Sequence, residues 1–490
     1  MLSHEVYERA RLSRDARFDG QFYIGVKTTG IYCRPICPAV SPKRENVTFY
    51  PSAAAAGEAG YRPCLRCRPE CAPGTPAWSG TSTTVRRGLR LIAAGALDDG
   101  SIEDLAERLG VTSRHLRRLF AEHLGASPLA VAHTQRLHFA KRLIDQTDLP
   151  LNHVATAAGY GSVRRFNDAF KNTYGRSPRE LRRRSDEDAM GDGTLSVRLP
   201  WRKPFDWQSM LGFLAGRATP GVEQVTDCAY YRTALIDDRV AVIECRPDAA
   251  GDNLCLTLHG VGTMSLFPLV QRVREMFDLD APIADIGGLL GTDTLLHGLL
   301  AKSPGIRVPG AWDGFELTVR AILGQQISVK AATTLAGRIA DRYGEAVTLP
   351  KSLSRNDDLR LQRLFPTPLK LSRAQFNSMG IVGSRIETIR QVARRAGSGA
   401  LDFDASHDPD QFCEALTLIP GIGDWTAQYV AMRGLKFPDA FPASDLGLLK
   451  AVDASGKTTA KELRRRAETW RPWRAYAAML LWSSLENSGG

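Results

Sequence analysis

A chain of 490 residues with 43% apolar, 24% charged and 8% aromatic side chains has the composition of a folded protein and the length of about three to five domains, which excludes wholesale disorder. No run of about 18 apolar residues occurs, and the opening MLSHEVYERARLSRD is too charged for a secretory leader, so membrane and secreted classes drop out and a cytoplasmic setting is expected. The formal charge is +11: residues 1–184 carry 29 basic against 17 acidic side chains, and the remaining 306 carry 35 against 36. A local excess of this kind points to a polyanion such as DNA, the alternative being a solvated basic face.

Five of the nine cysteines lie within the first 71 residues. Cys33-x3-Cys37 and Cys64-x2-Cys67 supply four soft thiolates in two close pairs, which suits tetrahedral Zn²⁺ and would staple a segment too short for a large core. Cys71 is a spare fifth candidate, and a purely structural knuckle would share the same spacing. Cys228, Cys245, Cys255 and Cys413 stand singly and read as small buried hydrophobes.

The words TTGIYCRPIC (28–37), KRENVTFY (43–50) and GYRPCLRC (60–67) resemble the N-terminal domain of the Ada adaptive-response family. The resemblance implies a zinc domain over residues 1–75 in which Cys33 is both a metal ligand and the acceptor of a methyl group from a DNA methylphosphotriester. A zinc-bound sulfur stays deprotonated at neutral pH, and a thiolate needs no general base to take a methyl group from a neutral triester. A thioether has no easy route back, so transfer is expected once per molecule. Four thiolates on Zn²⁺ carry a net charge of about −2 and three carry about −1, so methylation should raise DNA affinity. Thr29 and Arg62 match family positions that touch DNA. Two further positions, basic in the family, are Pro38 and Val40, with Lys43 and Arg44 nearby to substitute.

Residues 75–84 are small and polar and read as a linker. From 85 to 184 the pattern is helical and duplicated. Ser101 to Asp104 form a predicted capping box ahead of the apolar stripe Ile102, Leu105, Ala106 and Leu109, Gly110 turns, and Ser113 is expected to cap a second helix with Leu116, Leu119 and Phe120 inward. The order recurs 49 residues on at Ala155, Gly159 and Ser162, and Gly125-x-Ser127-Pro128 returns as Gly175-x-Ser177-Pro178. This is a helix–turn–helix pattern twice over. The second helices offer Arg114, His115, Arg117 and Arg118, then Arg164, Arg165, Asn167 and Lys171, as groove-reading donors, whereas Phe166, Phe170 and Tyr174 read as core. The block resembles the DNA-binding domain of AraC-type regulators. That implies two units reading successive major grooves of double-stranded DNA, RNA polymerase as the partner in activation, and no need of a dimer. Asp186–Gly193 reads as a second linker.

Residues 194–280 alternate short strands with two helices, Trp207–Arg217 and Leu266–Phe277, and predict a small α+β layer; helical patterns dominate from 281 to 490. LIPGIGDWTAQYVAM (418–432) sets Pro420-Gly421-Ile422-Gly423 between two amphipathic stretches, a helix–hairpin–helix word whose outward amides suit a DNA phosphate at Gly421 and Gly423. Asp445, twenty residues after Trp425, stands at a predicted helix start, where a carboxylate is commonly just an N-cap.

Residues 194–490 resemble the bacterial 3-methyladenine DNA glycosylase II family through PFDWQSMLGFLAGRA (204–218), LTVRAILGQQISV (317–329), PGIGDWTAQYVAMRGL (420–435) and RPWRAYAAMLLW (471–482). The resemblance implies that Asp445 is the catalytic carboxylate and that Phe213, Trp425, Tyr429 and Trp482 form an aromatic pocket; packing aromatics are the alternative for Phe213 and Trp482. Gln326 stands where the family has an apolar wedge, and Trp425 where lyases of the superfamily have lysine, so simple base hydrolysis without strand cleavage is expected. No Pro-Cys-His-Arg word occurs, so an O6-methylguanine transferase module is not expected. The fold class is thus a multidomain α+β chain: a four-cysteine zinc domain, an all-α double helix–turn–helix domain, a small α+β layer and a mainly α glycosylase domain. The competing reading is a transcriptional regulator whose C-terminal half binds DNA without catalysis.

Overall fold

The computed structural model describes residues 3–73, 83–98, 100–182, 194–260, 266–353, 358–403, 408–453, 455 and 457–486. Both linkers fall mainly outside them: residues 75–82 and 186–193 are not described, and 83–84 already begin the helix Thr83–Ala93. None of the described helices is long and apolar enough to cross a membrane.

A four-stranded sheet organises the N-terminal domain, in the order β3 (Val47–Tyr50), β1 (Tyr23–Val26), β2 (Ile31–Cys33), β4 (Arg62–Pro63). Strand β1 is buried throughout and pairs antiparallel with β2 and β3, while β4 joins β2 in parallel, Tyr32 opposite Pro63. That parallel step matters because both strands end at cysteines: Cys33 closes β2, and the Cys64 amide, just past β4, donates to the Tyr32 carbonyl at 3.0 Å. Tyr7, Phe22 and Phe49 pack beneath as a small aromatic core.

The helical block has the expected duplication. Ser101 and Asp104 form the predicted capping box of Ile102–Arg108, and Ser162 caps Val163–Tyr174. In the first unit the cap of Ser113–Leu124 is Thr112, not Ser113: Thr112 has the extended backbone a cap needs, and its hydroxyl accepts the His115 amide at 3.2 Å, whereas Ser113 is already helical. Gly125 and Gly175 end their helices at φ of 65° and 67°, a left-handed geometry that favours glycine. The helix Pro128–Gln146 links the two units and also carries the zinc domain. Ala53–Ala56 of the helix Ala53–Glu58 are buried, and their small side chains permit close approach; a Cβ on Gly125 would lie 3.0 Å from Pro51 Cγ. A buried ionic cluster completes the seam: Lys141 Nζ sits 2.6 Å from both Asp145 oxygens, and Arg68 bridges Asp145 (2.5 Å) and Glu70 (3.3 Å).

The C-terminal half opens with an antiparallel five-stranded sheet, order β5 (Thr194–Pro200), β9 (Asn253–His259), β8 (Arg239–Pro247), β7 (Tyr230–Ile236), β6 (Glu223–Val225). Strand β6, three residues long and without clear alternation, is an addition to the sequence reading. The helical domain beyond it packs around Gly314–Leu323, whose side chains from Phe315 to Val319 and from Ala321 to Leu323 are all buried. Isolated cysteines behave less uniformly than expected: Cys245 is buried, Cys255 and Cys413 are half-buried, and Cys228 is exposed. The halves meet directly. Arg90 donates to the Leu435 and Lys436 carbonyls at 2.7 and 3.0 Å, and Arg202 to the Asp19 carbonyl at 2.8 Å.

Candidate functional site

Three sites emerge, one in each functional segment. In the first, the sulfurs of Cys33, Cys37, Cys64 and Cys67 all lie within 4.8 Å of one another. Four sulfurs on tetrahedral zinc at about 2.3 Å stand roughly 3.8 Å apart, so the group fits the ion. Cys71 is half-buried and stands outside the cluster, so the spare candidate is not among the four grouped ligands. Cys64 and Cys67 are buried, whereas Cys33 and Cys37 are partly open to solvent. Arg34 stiffens the ligand loops by pairing with Asp19 and donating to the Cys67 carbonyl at 3.0 Å. Thr29 is exposed in the turn between β1 and β2, and Arg62 is exposed on β4, about 3.9 Å from where a Cβ on Gly175 would lie. Arg62 therefore faces the end of the second reading helix.

The second site consists of the two reading helices. Arg114, Arg117 and Arg118 are exposed on Ser113–Leu124, and Arg164, Arg165 and Lys171 on Val163–Tyr174. Leu116, Phe120, Phe166 and Phe170 are fully buried and Tyr174 nearly so, which fixes the basic faces outward.

The third site is the most elaborate. Asp445 caps the helix Leu446–Val452, its Oδ1 accepting the Leu448 amide at 3.0 Å. It is more than a cap: Trp482 Nε1 donates to Oδ1 at 2.9 Å and Trp425 Nε1 to Oδ2 at 2.8 Å. Trp425 stacks on Tyr429 with centroids 5.2 Å apart and planes 8° from parallel, and Tyr429 meets Trp482 edge-on at 6.4 Å. All three rings are half-buried, giving an aromatic cleft with one carboxylate at its edge. Phe213 takes a different place. It is buried at 5% exposure under two guanidiniums, Arg217 at 3.7 Å and Arg433 at 4.8 Å from its centroid, and Arg433 also lies 5.4 Å from the Tyr429 ring. Burial disfavours the Tyr429 phenolate, but Arg433, 2.6 Å from its oxygen, and Arg217 outweigh that and hold the phenol below its ordinary value.

Behind the cleft lies the hairpin. Gly421 has φ of 90°, and a Cβ there would lie 2.2 Å from Thr388 Oγ1; Gly423, the N-cap of Asp424–Arg433, has open space around it. The two glycines are thus required for different reasons, conformation at 421 and access at 423. Gln326 is exposed with φ of 60°, a strained setting for a side chain that directs it outward from the turn between two helices. Its neighbour Gln325 turns inward and donates to the Gly421 carbonyl at 2.9 Å and the Thr426 hydroxyl at 3.1 Å, while Arg385 donates to the Gln325 carbonyl. Gln325 and Gly447 escaped the sequence reading. A Cβ on Gly447 would crowd Asp445 Oδ1 at 2.9 Å, and glycine two residues after a candidate carboxylate is the signal that marks it.

Comparison with known proteins follows the same division. Family models match in order as the metal binding domain of Ada (7–70), a helix–turn–helix domain (105–184), the AlkA N-terminal domain (196–313) and the HhH-GPD superfamily of base excision DNA repair proteins (319–474). A Mycobacterium tuberculosis protein named "Probable bifunctional transcriptional activator/DNA repair enzyme AlkA" is 40% identical over 99% of this chain and 97% of its own. DNA-3-methyladenine glycosylase 2 of Escherichia coli is 36% identical over 58% of this chain and 95% of its own length. The solved 3-methyladenine DNA-glycosylase of Archaeoglobus fulgidus shares the fold of the C-terminal half, with a TM-score of 0.52, 22% identity, and coverage of 60% of this chain and 99% of that one. The four clustered cysteines of the Ada-type domain bind one zinc ion. Matched across almost its whole length, the chain belongs to the bifunctional transcriptional activator/DNA repair family that joins an Ada-type metal-binding domain and a helix–turn–helix reader to an AlkA-type DNA glycosylase.

Proposed function

We propose that the chain removes two chemically different alkyl lesions from DNA, taking a methyl group from a phosphotriester onto Cys33 and excising alkylated purines such as 3-methyladenine with Asp445 as the catalytic carboxylate. The observation that carries the second activity is the Asp445 carboxylate held by two indole N–H groups at the edge of the Trp425–Tyr429 stack. An alkylated purine is cationic, so it is attracted to electron-rich rings and is already a good leaving group. It must first leave the helix stack, at a cost of a few kcal/mol. Gln326, exposed at the tip of its turn, fills the vacated space, and the amides at Gly421 and Gly423 hold the neighbouring phosphate. With the base against the aromatic rings, Asp445 stabilises the positive charge that grows on the sugar as the C1′–N bond breaks and its electron pair leaves with the base. The same carboxylate orients the water whose oxygen bonds to C1′ and takes up the proton that water loses. Trp425 offers no amine for a Schiff base, so the product is an abasic site in an intact strand.

In the sensor, bound zinc keeps the cysteine sulfurs as thiolates. The Cys33 sulfur attacks the methyl carbon, the C–O bond breaks, and its electron pair stays on the phosphate as a diester anion. Cys33, partly open at the end of β2, is better placed for this than buried Cys64 or Cys67. Thr29 and Arg62 flank that approach to DNA, and Arg114, Arg117, Arg118, Arg164, Arg165 and Lys171 seat the reader in two grooves. Two units in one chain support action as a monomer, in the cytoplasm, with RNA polymerase as the partner in activation. The test is direct. Duplex containing 3-methyladenine should release base with wild type, and Asp445→Asn should reduce release at least a hundredfold; no release by wild type would leave a regulator without glycosylase activity. Mass spectrometry after incubation with methylphosphotriester DNA should find one added methyl group, on Cys33, and a tag on Cys37 would overturn that placement.

A further inference from the structure

A cavity of about 240 Å³ lies where the zinc domain, the reader and both layers of the glycosylase half meet. Its walls include Gln135, His138 and Arg142 of the helix Pro128–Gln146, and Phe267 and Arg274 of the helix Leu266–Met276. Arg142 is 8% exposed, and its Nε and Nη1 are buried with no hydrogen-bond partner. Arg274 pairs with Asp280 through Nε at 2.9 Å, but its own Nη1 is likewise buried and unpartnered. The carboxylates in the walls already have partners, two of them with arginines of the same walls. Glu70 pairs with Arg68 at 3.3 Å, Glu275 with Arg90 at 3.5 Å, Asp280 with Arg274, and Asp278 accepts from the Tyr476 hydroxyl at 2.8 Å. Arg142, which has no ion pair among the described residues, and Arg274, whose charge Asp280 balances, thus line one space with N–H donors to spare, and burying the Arg142 cation without a paired anion is unfavourable. Gln135 Oε1 is buried and unpartnered as well, an acceptor waiting for a donor.

We propose that this cavity is a binding site for a small organic anion, a phosphate monoester or carboxylate that also carries a hydroxyl or amine. The anionic group meets the free N–H donors of Arg142 and Arg274, the guanidinium being suited to phosphate and carboxylate alike. The hydroxyl or amine meets Gln135 Oε1. The volume admits something of sugar-phosphate size and lies just below the roughly 300–1,000 Å³ of drug-sized pockets. His138 adds no competing charge, because burial and the nearby Arg142 pull its pKa down to about 3. A ligand here would touch the reader through Arg142 and the glycosylase half through Arg274, fastening the two together.

The test uses the full-length zinc-loaded protein without DNA, titrated at constant ionic strength with inorganic phosphate, ribose 5-phosphate and citrate. Calorimetry measures binding, and thermal unfolding reports the stabilisation, which follows mass action. Saturable binding is expected, with Arg142→Met weakening it at least tenfold and Gln135→Leu weakening ribose 5-phosphate but not inorganic phosphate. Binding carried by phosphate alone or by citrate alone identifies which anion class the site takes. Equal binding by wild type and Arg142→Met would overturn the assignment, as would no saturable binding of any probe by wild type. Should Arg142→Met fail to fold, Gln135→Leu decides: an unchanged ribose 5-phosphate affinity then refutes the site.

Discussion

Replacing Trp425 by phenylalanine removes one N–H and little else, because a phenyl ring can keep the stack with Tyr429. The two indoles do not hold Asp445 equally. Oδ1 accepts from both Trp482 and the Leu448 amide, at 2.9 and 3.0 Å, whereas Oδ2 accepts from Trp425 at 2.8 Å as its one donor among the described residues. Hydrogen bonds to a charged group contribute about 1.5–3 kcal/mol. Loss of the Oδ2 donor leaves the carboxylate free to turn about its remaining anchor, and misplaced catalytic groups lose rate steeply. A bare carboxylate is also more negative, which favours the cationic transition state, but that gain is diffuse and lost orientation outweighs it. At about 1.4 kcal/mol per factor of ten, Trp425→Phe should slow single-turnover excision by roughly 10- to 150-fold. Trp482→Phe, with the Leu448 amide still in place, should cost about 1 kcal/mol, or roughly fivefold. The assay is base release under enzyme excess, with DNA affinity and melting temperature measured alongside. If both variants stay within twofold of wild type while Asp445→Asn is inactive, or if Trp482→Phe is the slower of the two, the positioning argument is wrong.

The hairpin glycines should respond differently to the same substitution. Gly421→Ala combines a positive φ with a 2.2 Å encounter at Thr388 and should destabilise the helical domain by about 2–4 kcal/mol in urea unfolding. Gly423→Ala meets open space and should change stability by no more than about 1 kcal/mol, yet weaken DNA binding because its methyl group stands at the helix N-terminus. Stability should also depend on His138. Its folded pKa is depressed to about 3 against 6.5, so the neutral form is the folded one; stability is fully present above pH 6.5 and is lost as pH falls toward 3. Between pH 7.5 and 5 the loss from this group is about 2 kcal/mol, and chemical denaturation of His138→Gln should show a pH dependence smaller by about that amount.

The parts of this protein defined by short-range pattern were legible in its residues. Cysteine spacing, the repeated glycine and serine positions of the reader, and the Pro-Gly-x-Gly word all depend on local backbone geometry, which neighbouring residues dictate. Net charge also located the reader, because electrostatic bias survives any fold. Beyond that range the sequence was silent. Asp445 is the N-cap its position suggests, but its carboxylate also takes two indole N–H groups, since Trp425 and Trp482 reach it from 20 and 37 residues away. Phe213 shared its word with true family signatures yet packs under two arginines, and Gln325 and Gln326, identical neighbours, point in opposite senses because the backbone turns left-handed between them. Local conformation is written in propensities of adjacent side chains, and so it was readable. Which distant groups share one carboxylate, or are left buried without a partner at a domain junction, depends on long-range packing, and only the tertiary structure decided it.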